Sequence, residues 1–222
     1  MSSISRATED YLKAVYHLGT HGDPVTTGLL AHELGVSSPS VSSMVKRLED
    51  GELLDRADGR SIRLTDAGER EALRVIRRHR LLETFLAEAL DVPWDEVHVE
   101  AELLEHALSA RLEERIDFAL GHPTHDPHGD PIPPREGPHS ENWGVSLESA
   151  APGSRFRVER VSDRDSAALR HLGGLGLIPG TVLDVEEQEP FGGPYWVRVD
   201  GERHALGIPL TRLVHGRTEG RS

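Results

Sequence analysis

The chain has 222 residues, 36% of them hydrophobic, and no apolar run near the ~20 residues that a membrane-spanning helix needs. It contains no cysteine, which excludes disulfides, thiolate zinc sites, iron–sulfur clusters and cysteine nucleophiles. Any metal site must draw on carboxylates, imidazoles and carbonyls, from 13 His and 38 Asp and Glu. The formal net charge of −13 argues against a nucleic-acid partner at first sight, but it is unevenly spread: residues 1–65 hold 7 Lys and Arg against 9 Asp and Glu, and the remainder carries −11.

In chain order, residues 6–20 put Tyr11, Leu12, Val15, Tyr16 and Leu18 near one helical face, with Gly19 and Gly22 ending the helix. Residues 26–34 predict a second short helix closed by Gly35. Ser38 as N-cap and Pro39 at the first helical position start a third, with Val41, Met44, Val45 and Leu48 inward. Two short strands around Asp58-Gly59 predict a β-hairpin. Thr65 then caps a long helix over about 66–90, Asp91-Val-Pro-Trp94 breaks it, and a further helix is expected from about 94 to 119. Residues 121–137, rich in Pro, His, Asp and Gly, predict a structured loop. From about 145 the stretches RFRVERV, TVLDVEE, YWVRVDG and HALGIPL alternate with Gly/Pro turns, the pattern of a small β-barrel, and the last few residues are expected to fray.

Helix, Gly-containing turn, helix and hairpin make a winged helix-turn-helix. Ser37, Pro39, Ser40, Ser42 and Ser43 open the third helix, where short polar side chains can approach bases or phosphates. Lys46 and Arg47 on that helix, and Arg56, Arg60 and Arg63 on the wing, are candidates for neutralising phosphate charge. The same module can serve as a protein–protein contact.

Two further groupings carry ligand chemistry. His79 and Glu83 stand four apart on the long helix, and His98, Glu102, Glu105 and His106 cluster on the next. Each is open to two interpretations, a solvated charged face or a cation site. His122, His125 and His128 in HPTHDPHGD fit either an extra site or ordinary loop residues.

The segments ATEDYLKAVYHL, GVSSPSVSSMVKRLE, GRSIRLTDAGERE, RRHRLLETFL, VPWDEVHVEAELLEHALS and HPTHDPHGDPIPP occur in this order. Together they resemble the diphtheria-toxin-repressor family of metal-dependent transcriptional regulators, most strongly over residues 5–140. GLGLIPGTVLDV and EPFGGPYWVRV resemble the SH3-like (FeoA-like) domain of its longer members. The resemblance implies a mainly α chain with a C-terminal all-β domain. Residues 1–72 would be a winged helix-turn-helix DNA-binding domain, 73–140 a helical metal-binding and dimerisation domain, and 141–222 the SH3-like domain. It implies a primary metal site of Asp10, Glu102, Glu105 and His106, and an ancillary site of His79, Glu83 and His98 with ligands lent by the SH3-like domain. Asp163 and Asp165 are candidates for those, with Glu159 behind them; the same segment fits a polar turn before a helix.

Iron-responsive members carry a methionine and a cysteine where this chain has Asp10 and Glu102, and manganese-responsive members carry carboxylates. Hard oxygen donors favour Mn²⁺, although Fe²⁺, Co²⁺ or Zn²⁺ can bind such a site in vitro. The expectation is a cytoplasmic, homodimeric Mn²⁺-dependent repressor that binds double-stranded operator DNA, with one or two dimers per operator, and controls metal-homeostasis genes. An iron(II)-dependent repressor of the same family is the alternative. No HExxH, phosphate loop or serine-nucleophile motif supports an enzyme.

Overall fold

The structure, a computed structural model, describes residues 4–20, 24–57 and 61–219. The chain forms two compact units. One comprises residues up to His79 with Leu104–Ala110 and Pro133–His139, the other Arg80–Leu103, Arg111–Ile132 and the residues from Ser140 on.

The first unit starts with α1 (Arg6–Gly19), whose N-cap Ser5 accepts a hydrogen bond from Thr8 N. Tyr11, Leu12, Val15 and Tyr16 are buried and Leu18 is half-buried, as the periodicity requires. Helix α2 (Thr27–Glu33) is capped by Thr26 and closed at Gly35, whose φ of 64° suits a residue without Cβ. Helix α3 (Ser38–Asp50) is capped by Ser37 rather than Ser38; its Oγ accepts from Ser40 N, and Pro39 falls inside the first turn. The hairpin pairs β1 (Leu54–Ala57) with β2 (Ser61–Leu64), and the expected Asp58-Gly59 turn lies outside the described residues. Thr65 Oγ1 accepts from Gly68 N at the start of α4 (Asp66–Leu90). Leu12, Leu30, Val41, Val45, Leu48, Ile62 and Ile76 form one core, each contributing roughly 1.5–3 kcal/mol on burial.

The helix expected over 94–119 is two helices, α5 (Val97–Leu104) and α6 (Ala110–Ala119). The break puts Glu105 and His106 in a turn instead of on a helical face. No Gly or Pro marks it; the turn is held by tertiary bonds to the buried Glu105, described below.

In the second unit an antiparallel sheet has the order β3-β8-β4-β5-β6-β7. Its strands are β3 (Val145–Ser146), β4 (Arg155–Val161), β5 (Val182–Gln188), β6 (Tyr195–Val199), β7 (Glu202–Leu206) and β8 (Val214–Glu219). Phe156, Val158, Leu183 and Val197 face inward and pack with Leu169 and Leu172 of α7 (Ser166–Gly174). Within HALGIPL, Gly207 ends β7 and Pro209 sits in the short helix α8 (Ile208–Thr211). Strand β8 pairs with both β3 and β4 as far as Glu219, and the last residues, expected to fray, lie outside the described residues. A Cβ on Gly216 would meet the Arg157 carbonyl oxygen at 1.9 Å, so glycine permits that pairing.

The loop after α6 is tightly built. Asp126 Oδ1 accepts from His128 N and Asp130 N, both at 2.9 Å, and Val161 N of β4 donates to His128 O. Gly129, at φ 88°, lies so close to β4 that a Cβ would meet Glu159 O at 2.0 Å. Arg80 donates to Glu141 Oε1 at 2.7 Å and Arg160 to Glu141 Oε2 at 2.9 Å; Arg160 also pairs with Asp130. This buried four-charge network holds α4, the loop and β4 together.

Candidate metal centres and nucleic-acid face

On α3, Ser37, Pro39, Ser40, Ser42, Ser43, Lys46 and Arg47 are all exposed. The hydroxyls of Ser37 and Ser40 lie 2.8 Å apart at the helix N-terminus, where unpaired N–H groups favour an anion. Arg47 bonds Thr8 Oγ1 at 3.2 Å, so it leans toward α1. The wing arginines are paired: Arg56 with Glu49 at 2.7 Å and Arg63 with Asp55 at 2.7 Å. The Arg63 pair is well exposed and correspondingly weak, so phosphate can replace Asp55 at little cost. Arg60 lies outside the described residues.

The first candidate centre lies in the first unit. Asp10 projects from α1, while Glu105 and His106 come from the turn after α5. His106 Nε2 is 2.9 Å from Asp10 Oδ1 and 3.4 Å from Glu105 Oε1, yet it is buried and makes no hydrogen bond. The other ring nitrogen is fixed by Glu9, whose Oε2 lies 2.6 Å from Nδ1, and Arg78 approaches Glu9 at 3.5 Å. That arrangement leaves the Nε2 lone pair aimed at Asp10 and Glu105, as a metal-ligating imidazole requires. Glu105 is 0% exposed. Burial pushes its pKa up, but the hydrogen bond from His79 and the charge of Lys13 outweigh this and hold it below the usual range. Burial raises the pKa of Asp10 despite His106 and Lys13. The structure thus brings His79 to Glu105, with Nδ1 2.5 Å from Oε2.

The second candidate centre lies wholly in the second unit. Glu83 of α4, His98 of α5 and Asp163, between β4 and α7, offer ligand atoms within 4.8 Å of one another, as do Glu83, Asp126 and His128. His98 Nδ1 is 2.9 Å from Asp163 Oδ2 and 3.2 Å from Glu83 Oε1. Glu102, one turn along α5, holds its carboxylate 3.9 Å from His98 Nε2. His128 Nε2 donates to the Trp94 carbonyl at 2.7 Å, which turns Nδ1 toward Glu83 Oε2, 3.8 Å away. His128 Nδ1 and Asp126 Oδ2 are buried and make no hydrogen bond. Burial disfavours the charged imidazoles, but hydrogen bonds to Asp163 and Glu83 lift His98 to about 10, and the Glu83 carboxylate facing it, with the Asp126 and Asp163 charges, lifts His128 to about 9. Asp163 is held well below the carboxylate range: burial opposes this, and the hydrogen bond from His98 overcomes it. Asp126 is pushed well above that range by burial and by the Glu83 charge.

Two further carboxylates and two imidazoles stand in two groups that share Glu83, and the buried, unbonded ligand atoms of Asp126 and His128 among them fit a divalent cation. Sequence reasoning did not single out Asp126, and it left His128 open between an extra site and an ordinary loop residue; the structure brings both to Glu83. Their signal was the His-Asp-Pro-His-Gly-Asp run, read there as a loop. Asp165 Oδ1 caps α7, accepting from Ala167 N and Ala168 N, and no donor cluster among the described residues includes it. Glu159 pairs with Arg217 instead.

Comparison with known proteins identifies the family. Residues 3–61 match the family model described as iron dependent repressor, N-terminal DNA binding domain. Residues 65–134 match iron dependent repressor, metal binding and dimerisation domain, and residues 145–216 match the FeoA domain. The iron-dependent repressor IdeR of Mycobacterium tuberculosis is 34% identical over 207 residues, covering 87% of this chain and 89% of its own. Among solved structures, a manganese-dependent transcriptional repressor in complex with manganese superposes with a TM-score of 0.89 at 39% identity, over 96% of this chain and 100% of that one. ScaR with bound Cd²⁺ gives a TM-score of 0.82 at 34% identity, over 95% of this chain and 98% of that one. A DNA-binding unit, buried donor clusters and an FeoA domain in this order place the chain in the iron-dependent repressor family of metal-dependent transcriptional repressors.

Proposed function

We propose that this chain is a manganese(II)-responsive repressor that binds operator DNA as a homodimer. The observation that carries the metal choice is the donor set. Asp10, Glu105 and His106 at one centre, and Glu83, His98, Asp126, His128 and Asp163 at the other, present oxygen and imidazole only. Such donors suit a hard cation, and the chain has no cysteine to favour a softer one. Similarity to the manganese-bound repressor supports the same reading. Glu102 is assigned to the first centre by the resemblance.

A bound divalent ion supplies two positive charges against the carboxylates at each centre. Asp10 and Glu105, held against that charge, fix α1 to the turn after α5. The helix-turn-helix that follows α1 is thereby held in one arrangement. Asp163 and Glu83 do the same for the FeoA domain and α4. In a two-fold dimer, fixing α3 fixes the spacing of the two reading heads against successive major grooves. Metal then acts by population shift toward the DNA-competent arrangement. Leu90, Val99, Leu103, Leu112 and Phe118 are exposed apolar side chains on the helical part and supply material for the dimer interface.

The test is operator binding by metal-free protein during titration with free Mn²⁺ and, anaerobically, Fe²⁺. Activation by Mn²⁺ at the lower free concentration supports the proposal. Activation by Fe²⁺ at equal or lower concentration favours the iron reading, which the iron-dependent relatives keep in view.

A further inference from the structure

The Lys13 ammonium stands against the first centre. Lys13 lies one turn beyond Asp10 on α1, and its Nζ is 2.8 Å from Glu105 Oε1 and 3.0 Å from Oε2. The pair is deeply buried, with 12% of the lysine side chain and none of the glutamate exposed. Glu105 Oε1 is the oxygen that also faces His106 Nε2, 3.4 Å away. Glu105 Oε2 is taken in addition by His79. A cation ligated by Asp10, Glu105 and His106 therefore has to share a carboxylate with an ammonium already within bonding distance.

We propose that Lys13 is a built-in competitor for the first centre, a resident monovalent cation that raises the divalent-metal concentration at which that centre fills. The inference rests on the assignment of Asp10, Glu105 and His106 as ligands. Two positive charges held a few ångströms apart in a buried site repel each other strongly, and screening by salt is weak there. Whether Lys13 stays or swings out on its flexible stem, filling the centre must overcome either that repulsion or the loss of the Glu105 ion pair. The lysine thus makes the sensor less sensitive without supplying a ligand. Asp10, three residues earlier on the same helical face, attracts the metal that Lys13 opposes.

The experiment is Mn²⁺ binding followed by electron paramagnetic resonance of the free ion, at fixed pH and ionic strength. It compares wild-type protein with Lys13→Gln, Lys13→Met, Lys13→Arg and Glu105→Gln, with no DNA present. Glu105→Gln should remove one class of Mn²⁺ site and thereby identify it. Lys13→Gln and Lys13→Met should tighten that class by at least about tenfold and leave the other unchanged, whereas Lys13→Arg, which keeps the charge, should stay near wild type. If Glu105→Gln leaves both classes intact, the ligand assignment fails and the inference falls with it. If Glu105→Gln removes a class that Lys13→Gln and Lys13→Met leave unchanged or weaken, the ligands stand and the competitor role is refuted. Loss of folding in both neutral variants, seen by circular dichroism, would make Lys13 a structural counter-ion and likewise overturn the proposal.

Discussion

Asp126→Asn should change stability with opposite signs in the absence and presence of metal. The substitution keeps Oδ1, which accepts the backbone N–H groups of His128 and Asp130 at 2.9 Å each, so the loop retains its internal bonds. It removes a buried carboxylate that burial and the Glu83 charge hold well above its ordinary pKa. A raised folded pKa means that stability is present below the unfolded value and is lost as pH rises through the folded one. The neutral amide has no such loss, so the metal-free variant should be more stable by about 1–2 kcal/mol, the gain widening with pH. Metal binding should weaken at least about 100-fold, or ~2.7 kcal/mol, since an anionic donor is gone. Where Mn²⁺ is at 1,000 times the wild-type dissociation constant, it adds ~4.1 kcal/mol to wild-type stability but only about 1.4 kcal/mol to the variant. Thermal melting in chelator and in Mn²⁺ should show the order of the two proteins reverse. A variant that is less stable in chelator yet keeps the full Mn²⁺ shift would make Asp126 a loop brace and nothing more.

Other substitutions separate the roles of neighbouring residues. Asp10→Ala should abolish Mn²⁺-dependent operator binding while sedimentation still reports a dimer; normal repression by this variant would remove Asp10 from the ligand set. Glu9→Ala, which frees His106 Nδ1, should weaken Mn²⁺ binding by about 10- to 100-fold in calorimetry without removing a site. His98 and His128, raised from 6.5 to about 10 and about 9, stabilise the metal-free fold below pH 6.5 and progressively less as pH climbs through 9 and 10. Urea unfolding in chelator should therefore show falling stability over that window, and Mn²⁺ affinity should rise over it as the imidazole protons leave. Lys46→Ala, an exposed phosphate candidate, should weaken binding to all DNA sequences alike and reduce the slope of log affinity against log salt by about 1. An effect confined to one base position would assign Lys46 to base reading.

The order of elements was legible because each carries its own local signal. Period-3.6 apolar faces mark α1, α3 and α4, Gly35 closes α2, Pro39 opens α3, and alternating Val, Phe and Tyr mark β4 to β6. The resemblance then directed attention to Asp10 and to Glu83, His98, Glu105 and His106, the last four of which helical spacing alone left open between a charged face and a cation site. What the sequence did not announce is the break after Leu104, since Glu105-His-Ala-Leu-Ser has no helix-breaking residue. Nor did it show that Asp126 and His128 face Glu83, or that Lys13 reaches across 92 residues to Glu105. Local propensity is a short-range quantity, and it settles where helices and strands form. A buried carboxylate is tolerated only where distant partners compensate its lost hydration, so the carboxylate–imidazole clusters and the Lys13 ammonium seated in one of them were decided by tertiary packing.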